Sequence, residues 1–151
     1  MTTTIYSYSK VPTEFTVIQM ALPDSMGVDD ALHCTELCTL EGVTYVAVPA
    51  AALLPDQPPE LTIEPVTLTP ELREQIKAAS PHCALIAERM EARIRSKYSL
   101  SDEAYFARIG VGAALGAYTF DPGEQDELLA FGAYVEACRQ WGRDERAKLG
   151  L

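Results

Sequence analysis

The chain has no asparagine, only two histidines and one tryptophan, and across its first 69 residues a single basic side chain, Lys10. That shortage of bases argues against nucleic-acid binding by the first part, because backbone phosphates are held by clustered Lys and Arg. No window approaches 18 consecutive apolar residues, so no membrane-spanning helix is expected. The opening Met1–Lys10 stretch lacks a basic start followed by an apolar core, so no secretory signal is expected and we expect a cytoplasmic protein. Catalytic signatures are missing too. There is no Gly-x-Ser-x-Gly elbow and no Gly-Lys-Ser/Thr, and His33 and His82, the only imidazole bases, sit in no recognisable motif. We therefore expect no enzymatic activity, no catalytic residues and no cofactor.

What is present suffices for a folded protein. The 151 residues are 48% hydrophobic and 23% charged, with a net charge of −10, a composition far from that of disordered chains. The charge is uneven: residues 1–69 carry nine acids against Lys10 (net −8), and residues 70–151 carry thirteen acids against eleven bases (net −2). Such an acidic first part keeps the protein soluble and suits a basic protein partner.

Near Thr69-Pro70 the sequence changes from extended, proline-studded segments to apolar-striped helical sequence. This divides the chain into a β-rich unit over 1–49, a Pro-rich extended connector over 50–69 and a helical unit over 70–151. The expected class is α+β, with a small N-terminal antiparallel β unit followed by three to four helices. Thr4–Ser9 and Glu14–Leu22 are rich in strand formers, with Pro12 expected at the turn between them and a loop over Pro23–Gly27. Cys34–Leu40 and Val43–Val48, joined by Glu41-Gly42, form a hairpin signal, since Gly accepts the positive φ of a tight turn. Six prolines between Pro49 and Pro70 rule out a helix there, leaving short extended pieces at 61–64 and 66–68.

Thr69-Pro70-Glu71 combines a hydroxyl cap, a proline at the first helical position and an acid in the first turn, predicting a helix over 70–79. Ser80-Pro81 repeats that signal. The helix it opens carries a stripe of Cys83, Ala87, Met90, Ile94 and Tyr98, with Arg89, Arg93, Arg95 and Lys97 expected on its solvated side. Ser99, Ser101, Asp102 and Glu103 cap a third helix to about Ala117, and Asp121-Pro122-Gly123-Glu124 begins a fourth over about 122–147, with Leu128, Phe131, Val135, Cys138 and Trp141 inward.

Three constellations bear on function. His33, Cys34 and Cys38 with His82 and Cys83 supply metal-type ligands, but a four-residue Cys spacing along a strand separates the thiols by about 13 Å; no metal site is expected. Gly110-Val-Gly112-Ala-Ala-Leu-Gly116 lacks the third small residue and the preceding strand of a dinucleotide loop. It reads instead as close helix packing at positions 112 and 116, with a flexible joint between helices as the alternative. Lastly, Phe131, Tyr134, Val135, Cys138 and Trp141 make a broader apolar face than a short helix needs. Either it closes over the other helices or it anchors a partner, in which case Phe131, Tyr134, Arg139 and Trp141 are the partner-binding candidates.

Ile94-Arg-Ser-Lys-Tyr-Ser-Leu-Ser-Asp-Glu103, a glycine-bearing segment and then Ala133-Tyr-Val-Glu-Ala-Cys-Arg-Gln-Trp-Gly142 follow one another in this order. Together they resemble the C-terminal helical part of small proteins encoded by tailed phages and prophages near their tail-fibre genes, tail-fibre assembly proteins among them. The resemblance covers residues 70–147 and does not extend into the first part. It implies a non-enzymatic tail component or assembly factor in the host cell or on the virion. Its protein partner would be a phage tail component or a second copy of itself, with no direct nucleic-acid or membrane contact. The composition also suits a different class, an acidic inhibitor that mimics nucleic-acid charge to block a host or phage regulator.

Overall fold

The computed structural model describes residues 2–24 and 32–151. The expected loop at Pro23–Gly27 and the adjacent acids Asp29 and Asp30 lie wholly or partly outside the described residues. The architecture is α+β, an antiparallel β unit followed by four helices. Spatial proximity divides the chain into a sheet unit of residues 1–85 with 145–151 and a helical unit of residues 86–144.

In the sheet unit, β1 (Thr3–Tyr8), β4 (Thr35–Leu40), β5 (Val43–Pro49) and β6 (Glu64–Pro65) form one antiparallel sheet in the order β4-β5-β1-β6. The β4–β5 hairpin turns on Glu41 (φ 49°) and Gly42 (φ 83°), the two positive φ values of the tight turn that matches strand twist. Between Glu36 and Cys38 the register shifts. This bulge lets the consecutive residues Leu37 and Cys38 both be buried, which a regular pleat would forbid.

Both faces of this sheet are covered. Ile5, Leu37, Cys38 and Ala47 pack with Ile76, Cys83 and Leu151, while Tyr8, Val46 and Val48 pack with Met20, Leu22, Ala52, Leu54, Leu61 and Ile63. The central strand β5 accordingly reads as a nearly continuous apolar run. The Pro-rich segment is extended, and it also supplies this second layer: its Val66 N–H donates to Ile5 O at 2.8 Å, and β6 pairs with β1. Gln57 clamps the backbone of Ala21, accepting from its N–H and donating to its carbonyl, each at 2.9 Å.

The stretch Glu14–Leu22 does not form one strand after a turn at Pro12. Instead Pro12 lies in β2 (Val11–Pro12), which pairs with β3 (Val17–Ile18), and the turn sits at Thr13–Thr16. The Thr13 hydroxyl fixes that turn by donating to Thr16 O at 2.8 Å and accepting from Thr16 N–H at 3.1 Å. A two-residue edge ladder tolerates the missing proline donor.

Helix α1 (Pro70–Ala79) is capped by Thr69, whose hydroxyl accepts from Leu72 N–H, and it buries Ile76 against the sheet. Ser80 ends it, and Pro81 opens α2 (Pro81–Lys97). Helix α3 (Leu100–Ala114) starts with a full Ser99/Asp102 capping box. It stops three residues short of the expected Ala117, because Gly116 (φ 70°) takes the left-handed conformation and Ala117 N–H and Gly116 N–H return to Gly112 O and Ala113 O. Gly116 is thus a terminator and not a packing position. Gly112 is the close approach: a Cβ there would lie 2.8 Å from Cβ of Tyr118.

Helix α4 (Glu124–Lys148) ends in the same kind of cap at Gly150 (φ 79°), with Leu151 buried in the sheet-unit core and the Thr3 hydroxyl donating to Lys148 O at 2.8 Å.

Candidate interaction surface

Within the helical unit, aromatic side chains from α3, α4 and the residue that follows α2 converge. Phe106 of α3 stacks on Phe131 of α4, ring centroids 4.9 Å apart, and Tyr98, the residue after α2, meets Phe131 edge-on at 5.0 Å and Tyr134 at 5.7 Å. The local sequence explains this: the apolar stripe of α2 runs on to Tyr98, one residue past the helix, and Phe131 and Tyr134 are three residues apart on α4, hence on one face. Ile109 and Cys138 are buried in the same unit, whereas Ala87, a stripe position, is exposed.

Cations of α2 lie over the outer aromatic rings. The Arg93 guanidinium sits 4.0 Å from the Trp141 ring centroid, and Lys97 Nζ lies 4.6 Å from Tyr134 and 5.3 Å from Tyr98. Such cation–π contacts contribute about 0.5–1 kcal/mol each at exposed sites. The Tyr134 hydroxyl donates to Arg93 O at 2.9 Å. Three of the four partner-binding candidates are therefore held in one cluster: Phe131 in the aromatic stack with Phe106 and Tyr98, and Tyr134 and Trp141 half-buried at its edge against α2. Arg139 is exposed elsewhere on α4 and joins none of these contacts.

Arg93 and Lys97 are exposed, as expected for the solvated side of α2, and their cations also lie over the rings of this surface. The available signal was their i,i+4 spacing next to Ile94 and Tyr98. Arg95, from the same basic group, turns to Glu103 (2.7 Å) and Glu91 (3.8 Å).

At the α3–α4 junction, one carboxylate gathers two phenols. Glu124 accepts from the Tyr105 hydroxyl and from Tyr118 at 2.8 Å, and it also accepts from Asp121 N–H at 2.8 Å. These bonds hold the Glu124 carboxyl below its ordinary range, led by the one from Tyr105. The same hydrogen bond pushes Tyr105 up to about 12, and Tyr118 is raised for the same reason. Phenols held protonated in this way brace the junction and are poor proton acceptors.

Among the described residues no group of three or more His, Cys, Asp and Glu side chains is placed to hold a metal ion. All four cysteines are free thiols, and burial raises Cys34 and Cys38, which keeps them in the unreactive protonated form. No helix among the described residues is long and apolar enough to cross a membrane. Comparison of the chain with protein-family models, curated proteins and solved structures yields no match.

Proposed function

We propose that this chain is a non-enzymatic protein-interaction factor acting in phage or prophage tail or tail-fibre assembly, or as a tail accessory component. The observation that carries the reading is the cation-capped aromatic edge of the helical unit, Arg93 over Trp141 and Lys97 over Tyr134. Trp, Tyr and Arg dominate interface energies because they present large, rigid area with a polar handle. Here Tyr134 and Trp141 are only half-buried and Arg93 is exposed, so a partner gains area without reordering them. The sequence likeness over residues 70–147 supplies the biological setting. Phe131 supports the surface from within, Tyr134 and Trp141 contribute its rings, and the exposed Arg139 adds a separate contact.

The test is co-purification of the chain with the tail-fibre protein encoded in the same phage or prophage. The wild-type chain should form a stoichiometric complex, Trp141→Ala should weaken it at least tenfold, and the folded content of the variant should be unchanged. A tail-fibre protein that elutes without this chain at every concentration tested removes the proposal.

A further inference from the structure

Helix α3 presents apolar residues on two sides. Phe106 and Ile109 face the interior, yet the opposite side is not polar: Leu100, Val111 and Leu115 are 68%, 60% and 77% exposed, and Ala104, Ala107 and Ala114 are exposed too. A helix lying on a domain surface ordinarily turns a charged face to water. Leu100, Ala104, Ala107, Val111 and Ala114 follow one another at spacings of four, three, four and three, the repeat by which one helix packs along another. Two alanines at the centre permit close approach, and Leu100 and Val111 supply the larger knobs.

The charges beside this stripe select the occupant and its direction. Glu103 flanks one side and Arg108 the other, five residues on. In a parallel pair of identical helices, a residue in the first of these positions faces the second in its partner, so each Glu103 meets the Arg108 of the other copy, twice per pair. In an antiparallel pair the stripe centres on Ala107 and the two Arg108 side chains face each other, which like-charge repulsion opposes. Glu103 remains able to pair: its Oε2 accepts from Arg95 at 2.7 Å, and its side chain is 47% exposed. Arg108 is exposed, its guanidinium 5.8 Å from the Tyr105 ring.

We propose that the exposed face of α3 is a self-association surface, on which a second copy of this chain docks its own α3 in parallel, with Glu103 and Arg108 paired across the seam. This goes beyond the proposed function and stands whether or not the chain serves a tail fibre. A 15-residue helix is about 22 Å long. Two heptads of mostly small residues bury less than the roughly 1,200 Å² of a standard stable interface, so the dimer is weak and concentration-dependent.

Sedimentation velocity of the full chain over a wide concentration range should show the coefficient rising from monomer to dimer. Val111→Glu, at an exposed position, should hold it at the monomer value with unchanged circular dichroism. In a Cys34→Ser background, Leu100→Cys should give a disulfide-linked dimer on mild oxidation, because the two Leu100 side chains meet only in the parallel arrangement. A monomer at every concentration, a dimer indifferent to Val111→Glu, or a dimer without the Leu100→Cys cross-link would each overturn the proposal.

Discussion

At the scale of single residues, glycines provide the sharpest contrasts. Gly112→Ala gains about 1 kcal/mol of helix propensity but forces a Cβ to within 2.8 Å of the near end of the Tyr118 side chain, an overpacking that costs roughly 1–3 kcal/mol. The clash wins, and denaturant unfolding should show a net loss of roughly 1 kcal/mol. Gly132→Ala, inside α4 with nothing within 4 Å of the added atom, should stabilise by roughly 0.5–1 kcal/mol. Glu124 and Tyr105 set opposite pH limits. Because the folded-state carboxyl of Glu124 is depressed, its contribution is present above the ordinary carboxyl range and lost as pH falls through the folded value. Tyr105 is raised from 10.0 to about 12, so its contribution is complete below 10.0 and disappears as pH rises through about 12. Spectrophotometric titration of the phenols should show Tyr105 ionising late, and Glu124→Gln should bring it back toward the ordinary value.

Secondary-structure elements were legible where the physics is local. Thr69-Pro70-Glu71 located the start of α1 because a cap, a proline and an acid each satisfy needs of the first turn, and Glu41-Gly42 located the hairpin because few residue pairs accept two positive φ values. Of the boundaries that escaped, the bulge at Leu37 follows from burying two consecutive side chains against distant partners, whereas the end of α3 is set locally, by the left-handed Gly116 that the sequence pattern offered as a packing position. Ser99 and Ser80 look alike in sequence, each preceding a helix, yet only Ser99 caps one with its hydroxyl. The buried Ser80 hydroxyl makes no hydrogen bond among the described residues. Ser99→Ala should therefore cost about 1 kcal/mol, and Ser80→Ala distinctly less, in matched thermal unfolding. For α1, truncating Ile76 to alanine removes the only side chain it fully buries and should cost roughly 2–5 kcal/mol.

For the molecule as a whole, the change of character near Thr69 was readable as a change of class, from strands to helices. Which segments pack together was not readable, because long-range pairing leaves no periodic trace. The Pro-rich stretch covers one sheet face, and Leu149 and Leu151, beyond the last helix, pack into the sheet-unit core. Deleting Leu149–Leu151 should destabilise the sheet unit by roughly 1.5–3 kcal/mol for Leu151 alone, readable as lost amide protection in β1 and β5. The same distance problem hid the aromatic–cation surface: Phe131, Tyr134 and Trp141 were visible on α4, whereas the covering residues Arg93 and Lys97 lie some forty positions earlier. The acidic balance of the first part also admits an inhibitor that mimics nucleic-acid charge, and ionic strength separates the two readings, because charge-dominated binding is screened within about 10 Å at 0.1 M salt while an apolar aromatic interface is not. The most direct measurement is the dissociation constant of the purified chain for its tail-fibre partner across a salt series: our account predicts binding that changes little with salt and depends on Trp141, and binding that vanishes at high salt while ignoring Trp141→Ala would contradict it.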